Sequence, residues 1–157
     1  MADVEIIEFA PAYAADFDRL NREWLESLFR VEEIDHDILT DPEGTIIANG
    51  GAVLFARLGE EIVGTAALKN QGNKVFELTK MGVSPALRGG GIGRALVVAA
   101  IDRFHDLGGV RLYLESNSSL KPAIRLYETA GFIHEPAPAA PGYARADVYM
   151  VYRTDAK

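Results

Sequence analysis

The chain contains no cysteine. That absence excludes disulfides, thiolate nucleophiles and cysteine-ligated zinc together. Basic charge is also scarce: 16 Lys and Arg stand against 23 Asp and Glu, a formal charge of −7. Nucleic-acid binding needs a basic stripe to neutralise phosphates, so no nucleic-acid partner is expected. No apolar run approaches the ~20 residues needed to cross a bilayer, so no membrane partner is expected either. The opening MADVEIIEFA lacks the basic start and apolar stretch of a secretion signal, and a cytoplasmic location is the expectation. His36, His105 and His134 fall on separate segments with no H-E-x-x-H spacing, so no metal is expected.

What is present is an ordinary globular composition, 48% apolar and 25% charged, which argues against disorder. Its 157 residues fit one domain, expected to span 1–157. VEIIEFA (4–10) reads as a strand, and Phe17, Leu20, Trp24 and Leu28 fall at helical spacing within 13–30. A short helix is expected around Glu32–Leu39, before the turn TDPEGT. Residues 52–69 read as two strands joined at Gly59–Glu60, and VFELTKMGV (75–83) as the next strand. From Arg94 the period lengthens: Leu96, Ala100, Ile101, Phe104 and Leu107 form a helical stripe closed by Gly108–Gly109. A strand at 110–116, a helix over Pro122–Ala130, a strand FIHE, the connection PAPAAPG and a last strand at 147–153 complete the chain. The order β-α-α-β-β-β-α-β-α-β-β predicts an α/β (mixed α+β) fold, a mixed sheet flanked by helices.

The stretch SPALRGGGIGRAL (84–96) runs from a strand through bare glycines into a helix. A helix N-terminus carries unpaired N–H groups and the positive end of the peptide dipoles, so it attracts anions. Glycines let a phosphate reach that backbone, and Arg88 and Arg94 flank it with positive charge. A tight turn using glycine for positive φ is the simpler alternative. Two familiar phosphate loops do not match. No Lys-Ser or Lys-Thr follows the glycines, and Arg94 stands sixth from Gly89 where G-x-G-x-x-G needs glycine.

The run from Arg88 to Gly93 does fit R-x-x-G-x-G, and LYLESNSSLKPAIRLYETAGF (112–132) supplies a strand, an Asn, a helix carrying a Tyr, then Gly-Phe. In these motifs the sequence resembles the GCN5-related N-acetyltransferase family over nearly its whole length. The resemblance implies a mixed, mostly antiparallel sheet and acetyl-CoA as co-substrate. It implies that Arg88, Gly89, Gly90, Gly91, Ile92, Gly93 and Arg94 wrap the pyrophosphate, and that Met81, Gly82 and Val83 hold the thioester and pantetheine arm. Asn117 and Tyr127 join the cofactor set on the same ground. Leu120 stands where many members carry an Asn, with Asn117 three residues earlier.

Direct acetyl transfer to an amine needs a base, because an amine of pKa ~10.4 is neutral only about once in 10³ at pH 7. The resemblance implies Glu77 as that base; a strand-surface carboxylate is the alternative. It implies Tyr127 as the acid at sulfur; a core aromatic is the alternative. With Tyr at pKa ~10 and a thiol at ~8.5, full proton donation runs uphill by about 2 kcal/mol, so a hydrogen bond or a lowered Tyr pKa is expected. The resemblance thus implies an acetyl-CoA-dependent N-acetyltransferase, acting as monomer or homodimer on a primary amine. A non-catalytic acyl-CoA-binding or sensing domain and a transferase of a longer acyl group are the rivals.

Trp24 is read as core, and Asp35-His36-Asp37 as a solvated helix face. Residues 20–43 hold eight acids against Arg22 and Arg30, a formal −6. In this family the first two helices border the acceptor site, so that charge predicts a preference for cationic amines.

Overall fold

Two periods in the sequence become two kinds of element. The computed structural model describes residues 4–138 and 140–153; the expected domain bounds of 1–157 run past them at both ends. In chain order the elements are β1 (Val4–Glu8), α1 (Ala14–Leu28), α2 (Glu33–Thr40), β2 (Ala52–Leu58), β3 (Glu61–Asn70), β4 (Val75–Val83), α3 (Ile92–Asp106), β5 (Arg111–Ser116), α4 (Lys121–Ala130), β6 (Phe132–His134) and β7 (Val148–Tyr152). That is the expected order, with most boundaries moved by a residue or two. The helix expected from Arg94 begins at Ile92, because Gly91 takes a left-handed N-cap conformation and Gly93 falls inside the first turn. The turn expected at TDPEGT winds into a single wide turn over Glu43–Ile47 that buries Ile46.

The strands form one seven-stranded sheet, ordered β1-β2-β3-β4-β5-β7-β6. Every neighbouring pair is antiparallel except β4 and β5. On one face α3 and α4 cover a core containing Leu96, Phe104, Leu112 and Met150. On the other, α1 and α2 bury Phe17, Leu20, Leu25 and Ile38 against Val53, Phe55 and Ile62. Phe17, Leu20, Asn21 and Leu25 recur at helical spacing, which is why α1 presents one stripe to the sheet.

Two irregularities centre on β4. Thr65 pairs with Gly82 and Ala67 with Thr79, so Ala66 faces two residues, Lys80 and Met81. This is a β-bulge, and Lys80 adopts the left-handed region at φ 53° within it. Beyond the bulge the alternation shifts. Met81 and Val83 pack on the α3 side, while Gly82 meets α1. The second irregularity is that β4 pairs with β5 over only three residues, Val75–Arg111 to Glu77–Tyr113. Past Glu77 the strands diverge and leave a wedge.

The solvated face expected at residues 35–37 is corrected at Asp35. Its carboxylate closes a capping box at the start of α2 and is wholly buried. The reason is tertiary: its partners come from β4 and from the chain before β7.

Gly82 shows how closely α1 seats on β4. A Cβ there would lie 2.8 Å from the Leu20 carbonyl oxygen. Gly82→Ala is therefore expected to push α1 outward and cost ~1–3 kcal/mol, the usual range for overpacking. Urea unfolding checks this, and unchanged stability would show that α1 is free to shift.

Candidate active site

The wedge between β4 and β5 opens a cavity of about 490 Å³. One wall is Leu78 to Val83 of β4; the opposite wall is Leu114 to Asn117. It reaches both faces of the sheet, touching Ala123, Leu126 and Tyr127 of α4 and Trp24 and Leu28 of α1. At its outer end stand Arg88, Gly89, Gly91, Gly93 and Arg94. Of the residues expected to hold the cofactor, Met81, Gly82, Val83, Asn117 and Tyr127 also line it. Gly90 does not, and Ile92 instead enters the core beneath α3.

The glycine loop has the features of an anion cradle. Gly91 caps α3 at φ 91° and, among the described residues, no side chain bonds the helix N-terminus. Ala95 N–H donates to the Gly91 carbonyl, so the N–H groups of residues 92–94 precede the intrahelical pattern. A Cβ placed on Gly89 or Gly91 would meet nothing within 4 Å. The protein's own packing therefore does not demand bare backbone there beyond its positive φ.

Tyr127 is both core and cavity wall. It is 8% exposed, and its ring meets Phe132 at 5.9 Å. Burial pushes its hydroxyl up to about 12, with no charge or hydrogen bond opposing the shift. Of the two expectations, a hydrogen bond to sulfur or a lowered Tyr pKa, the second does not hold: among the described residues no charge or hydrogen bond beside the hydroxyl favours its ionised form. Asn117 donates to the Arg145 carbonyl at 2.7 Å and accepts from Ser119 N–H at 2.9 Å, so much of its capacity holds neighbouring loops.

Glu77 lies elsewhere. It lines a second cavity of about 530 Å³ on the α2 side of the sheet, with Gln71, Tyr113, Glu115, Tyr143 and Tyr149. Among the described residues, only Glu115 and Tyr143 belong to both cavities. Glu77 is 4% exposed, so the surface-carboxylate alternative does not describe it. Burial raises it to about 7, reinforced by Glu115 and opposed by Lys80, Lys69 and a hydrogen bond from Gln71.

Between the cavities sits an ionic cluster that sequence reasoning missed. Asp35 accepts from Lys80 Nζ at 2.6 Å and from Arg145 Nη1 at 2.7 Å and Nη2 at 3.0 Å. Arg145 also reaches Glu32 at 3.2 Å. Burial alone would raise Asp35, but the bonds from Arg145 and the charge and bond of Lys80 outweigh it and hold the carboxyl near 2. The Tyr143 hydroxyl lies 3.2 Å from Thr79 Oγ1 and 3.4 Å from Lys80 Nζ. Glu77, Thr79 and Lys80 inside the strand VFELTKMGV were the available signal; nothing local marked Tyr143 or Arg145. Trp24, expected in the core, is only partly buried and forms cavity wall, because Arg145 lies between its ring, at 5.9 Å, and that of Tyr143, at 4.6 Å.

Residues 11–132 match the model of the Acetyltransferase (GNAT) family. The chain belongs to the GNAT acetyltransferase family. Among relatives of this family member, an uncharacterized N-acetyltransferase, YjgM, of Escherichia coli K12 is 37% identical over 89 residues, 56% of this chain and 53% of that one. A mycothiol acetyltransferase of Actinosynnema mirum is 33% identical over 59% of this chain and 29% of its own. The match thus spans about half, and under a third, of the length of these relatives. A GNAT-family acetyltransferase structure from Staphylococcus aureus Mu50 superposes with TM-score 0.86 at 21% identity, covering 96% of this chain and 98% of that one. The structure of yncA of Salmonella typhimurium, solved with its cofactor acetyl-CoA, gives 0.76 at 21%, covering 99% of this chain and 96% of that one. At such identities the likeness establishes the fold. Among the described residues, no group of three His, Cys, Asp or Glu side chains is placed to hold a metal.

The loop can be tested against a control of the same backbone conformation. Gly108, which follows α3, has φ 73° and, like Gly91, open space around its Cβ position. Valine at either site incurs left-handed strain of ~1–3 kcal/mol. Gly91→Val is expected to weaken CoA binding at least ~10-fold by filling the phosphate's place, and Gly108→Val to lose similar stability with CoA affinity intact. Calorimetric titration of both variants checks this; equal CoA affinity in the two would remove the loop from the site.

Proposed function

We propose that the protein is an acetyl-CoA-dependent N-acetyltransferase that transfers the acetyl group directly to a primary amine. The observation that carries the reading is the wedge cavity, whose lining includes both the glycine loop at the N-terminus of α3 and Tyr127 of α4. The family and the acetyl-CoA bound by a structural neighbour support the same co-substrate.

Arg88, Arg94 and the backbone from Gly89 to Gly93 hold the pyrophosphate, and Met81 to Val83 line the path of the arm. Acetyl-CoA supplies the thioester: a C–N bond to the amine forms as the C–S bond breaks, and CoA leaves as the thiol. The acceptor occupies the second cavity and meets the thioester at the wall shared by Tyr143 and Glu115. Glu77, held near pKa 7, is about half ionised at neutral pH and takes the first proton of the ammonium, directly or through one water. The second leaves nitrogen as the thiol forms. With Tyr127 near 12, outright donation to a thiolate of ~8.5 runs uphill by about 5 kcal/mol, so its part is a hydrogen bond to sulfur.

Tyr127→Phe keeps the ring against Phe132 and removes only the hydroxyl. CoA should still bind while turnover falls ~10²-fold. Near-normal turnover would leave Tyr127 a core aromatic.

Glu77→Gln carries two signatures. Below pH 4.5 Glu77 is protonated folded and unfolded and costs nothing. As pH rises toward 7 the unfolded carboxyl ionises first, so the folded state loses ground, by about 3 kcal/mol once both are ionised. The variant should therefore gain thermal stability over the unsubstituted protein at pH 8 but not at pH 4. Its rate should fall near neutral pH and partly recover at high pH, where the amine deprotonates unaided. A rate–pH curve of unchanged shape and height would exclude Glu77 as base.

A further inference from the structure

The parallel register pairs Glu77 with Tyr113, and the antiparallel register pairs Glu115 with Tyr149. Residues opposite each other point to the same face, so all four side chains stand on the side of the sheet away from α4. Over β2 to β4 that side is covered by α1 and α2; beside β5 and β7 the second cavity takes the helices' place. The rings of Tyr113 and Tyr149 stack at 5.4 Å and make an aromatic wall. Glu115 is held by the backbone N–H of Gly142 on both oxygens, at 2.9 and 3.1 Å. Glu77 is held on one oxygen only, by Gln71 at 3.1 Å. Among the described residues no wholly buried side-chain oxygen or nitrogen lacks a partner, so the second Glu77 oxygen, which has none among them, is the part that faces the cavity. Lys69 is the one Lys or Arg among the cavity's described lining residues.

Two carboxylates, one with an oxygen unengaged, beside stacked π faces make a receptor for a positive charge. We infer that the second cavity binds the acceptor as an alkylammonium ion between Glu77, Glu115 and the Tyr113–Tyr149 wall, and selects cationic amines that carry no carboxylate. The inference rests on the transferase reading for the word acceptor, but its binding test does not. A carboxylate brought into this cavity faces Glu77 and Glu115, offset by Lys69 in the lining and by Lys80 behind it, whose charge is already paired with Asp35. Such like-charge juxtaposition excludes amino acids by repulsion. The source of selectivity is thus inside the sheet. Glu32 and Asp35, two of the eight acids of residues 20–43, are already neutralised by Lys80 and Arg145.

The probes are 1,4-diaminobutane and 4-aminobutanoate, which share chain length and amine and differ only in the far group. Each is titrated calorimetrically into the full chain at low ionic strength, and acetylation is followed separately by thiol release. The diamine should bind at least ~10-fold more tightly, and Glu115→Gln and Tyr149→Leu should each narrow that difference. Tyr149→Leu keeps an apolar side chain in the cavity wall without a π face, so it reports even where loss of the Gly142 anchor unfolds Glu115→Gln. Equal or tighter binding of 4-aminobutanoate, no diamine binding, or a difference untouched by both substitutions overturns the inference. Diamine binding with this pattern and no thiol release supports the cavity assignment and counts against the transferase reading instead.

Discussion

Three residue pairs between β4 and β5 set the terms for everything that follows. Parallel strands ordinarily exchange hydrogen bonds along their length, and a pair that stops early leaves backbone groups exposed between them. Here the bulge at Lys80 shifts β4 just where pairing with β5 fails, and the glycine loop follows a few residues later. One local departure therefore yields a cavity through the sheet, a charged side chain aimed at α2, and an anion cradle at the cavity's mouth.

The divergence needs a brace, and the buried ion cluster supplies it. Asp35 joins α2 to β4 through Lys80 and to the chain before β7 through Arg145, across 45 and 110 residues of sequence. Burying charges costs several kcal/mol per ion unless geometry and hydrogen bonds recover it. That cost makes the arrangement all-or-nothing: removing one partner leaves a buried charge unpaired, so the three segments are fixed relative to one another. Tyr143, gripped by Thr79 and Lys80, then stands as a partition between the two cavities. The brace and the partition meet at Lys80.

Charge counted along the chain and charge felt in the site differ for the same reason. The acidic first helices looked like the source of an attractive field, yet two of their carboxylates, Glu32 and Asp35, are spent inside the protein. The negative charge nearest the proposed chemistry comes instead from Glu77 and Glu115, which belong to strands.

The sequence by itself determined the element order, the helix stripes and the glycine loop, because each is written in neighbours three to seven residues apart. Phe17 and Leu20 could be assigned to one helix face, and Tyr127 to a helix beside a strand, without knowing what they would touch; Leu28, expected on the same stripe, is exposed, and Leu25 is buried in its stead. The tertiary structure alone decided that Trp24 is cavity wall, that Asp35 is buried, and that Glu77 and Tyr127 face different cavities. It alone brought Tyr143 and Arg145 from behind a proline-rich connection into the site. Periodicity records which face a side chain takes. Which strand lies opposite, where pairing stops and which distant charge neutralises a carboxylate are properties of contacts between segments far apart in the chain, and those exist only once the sheet has formed.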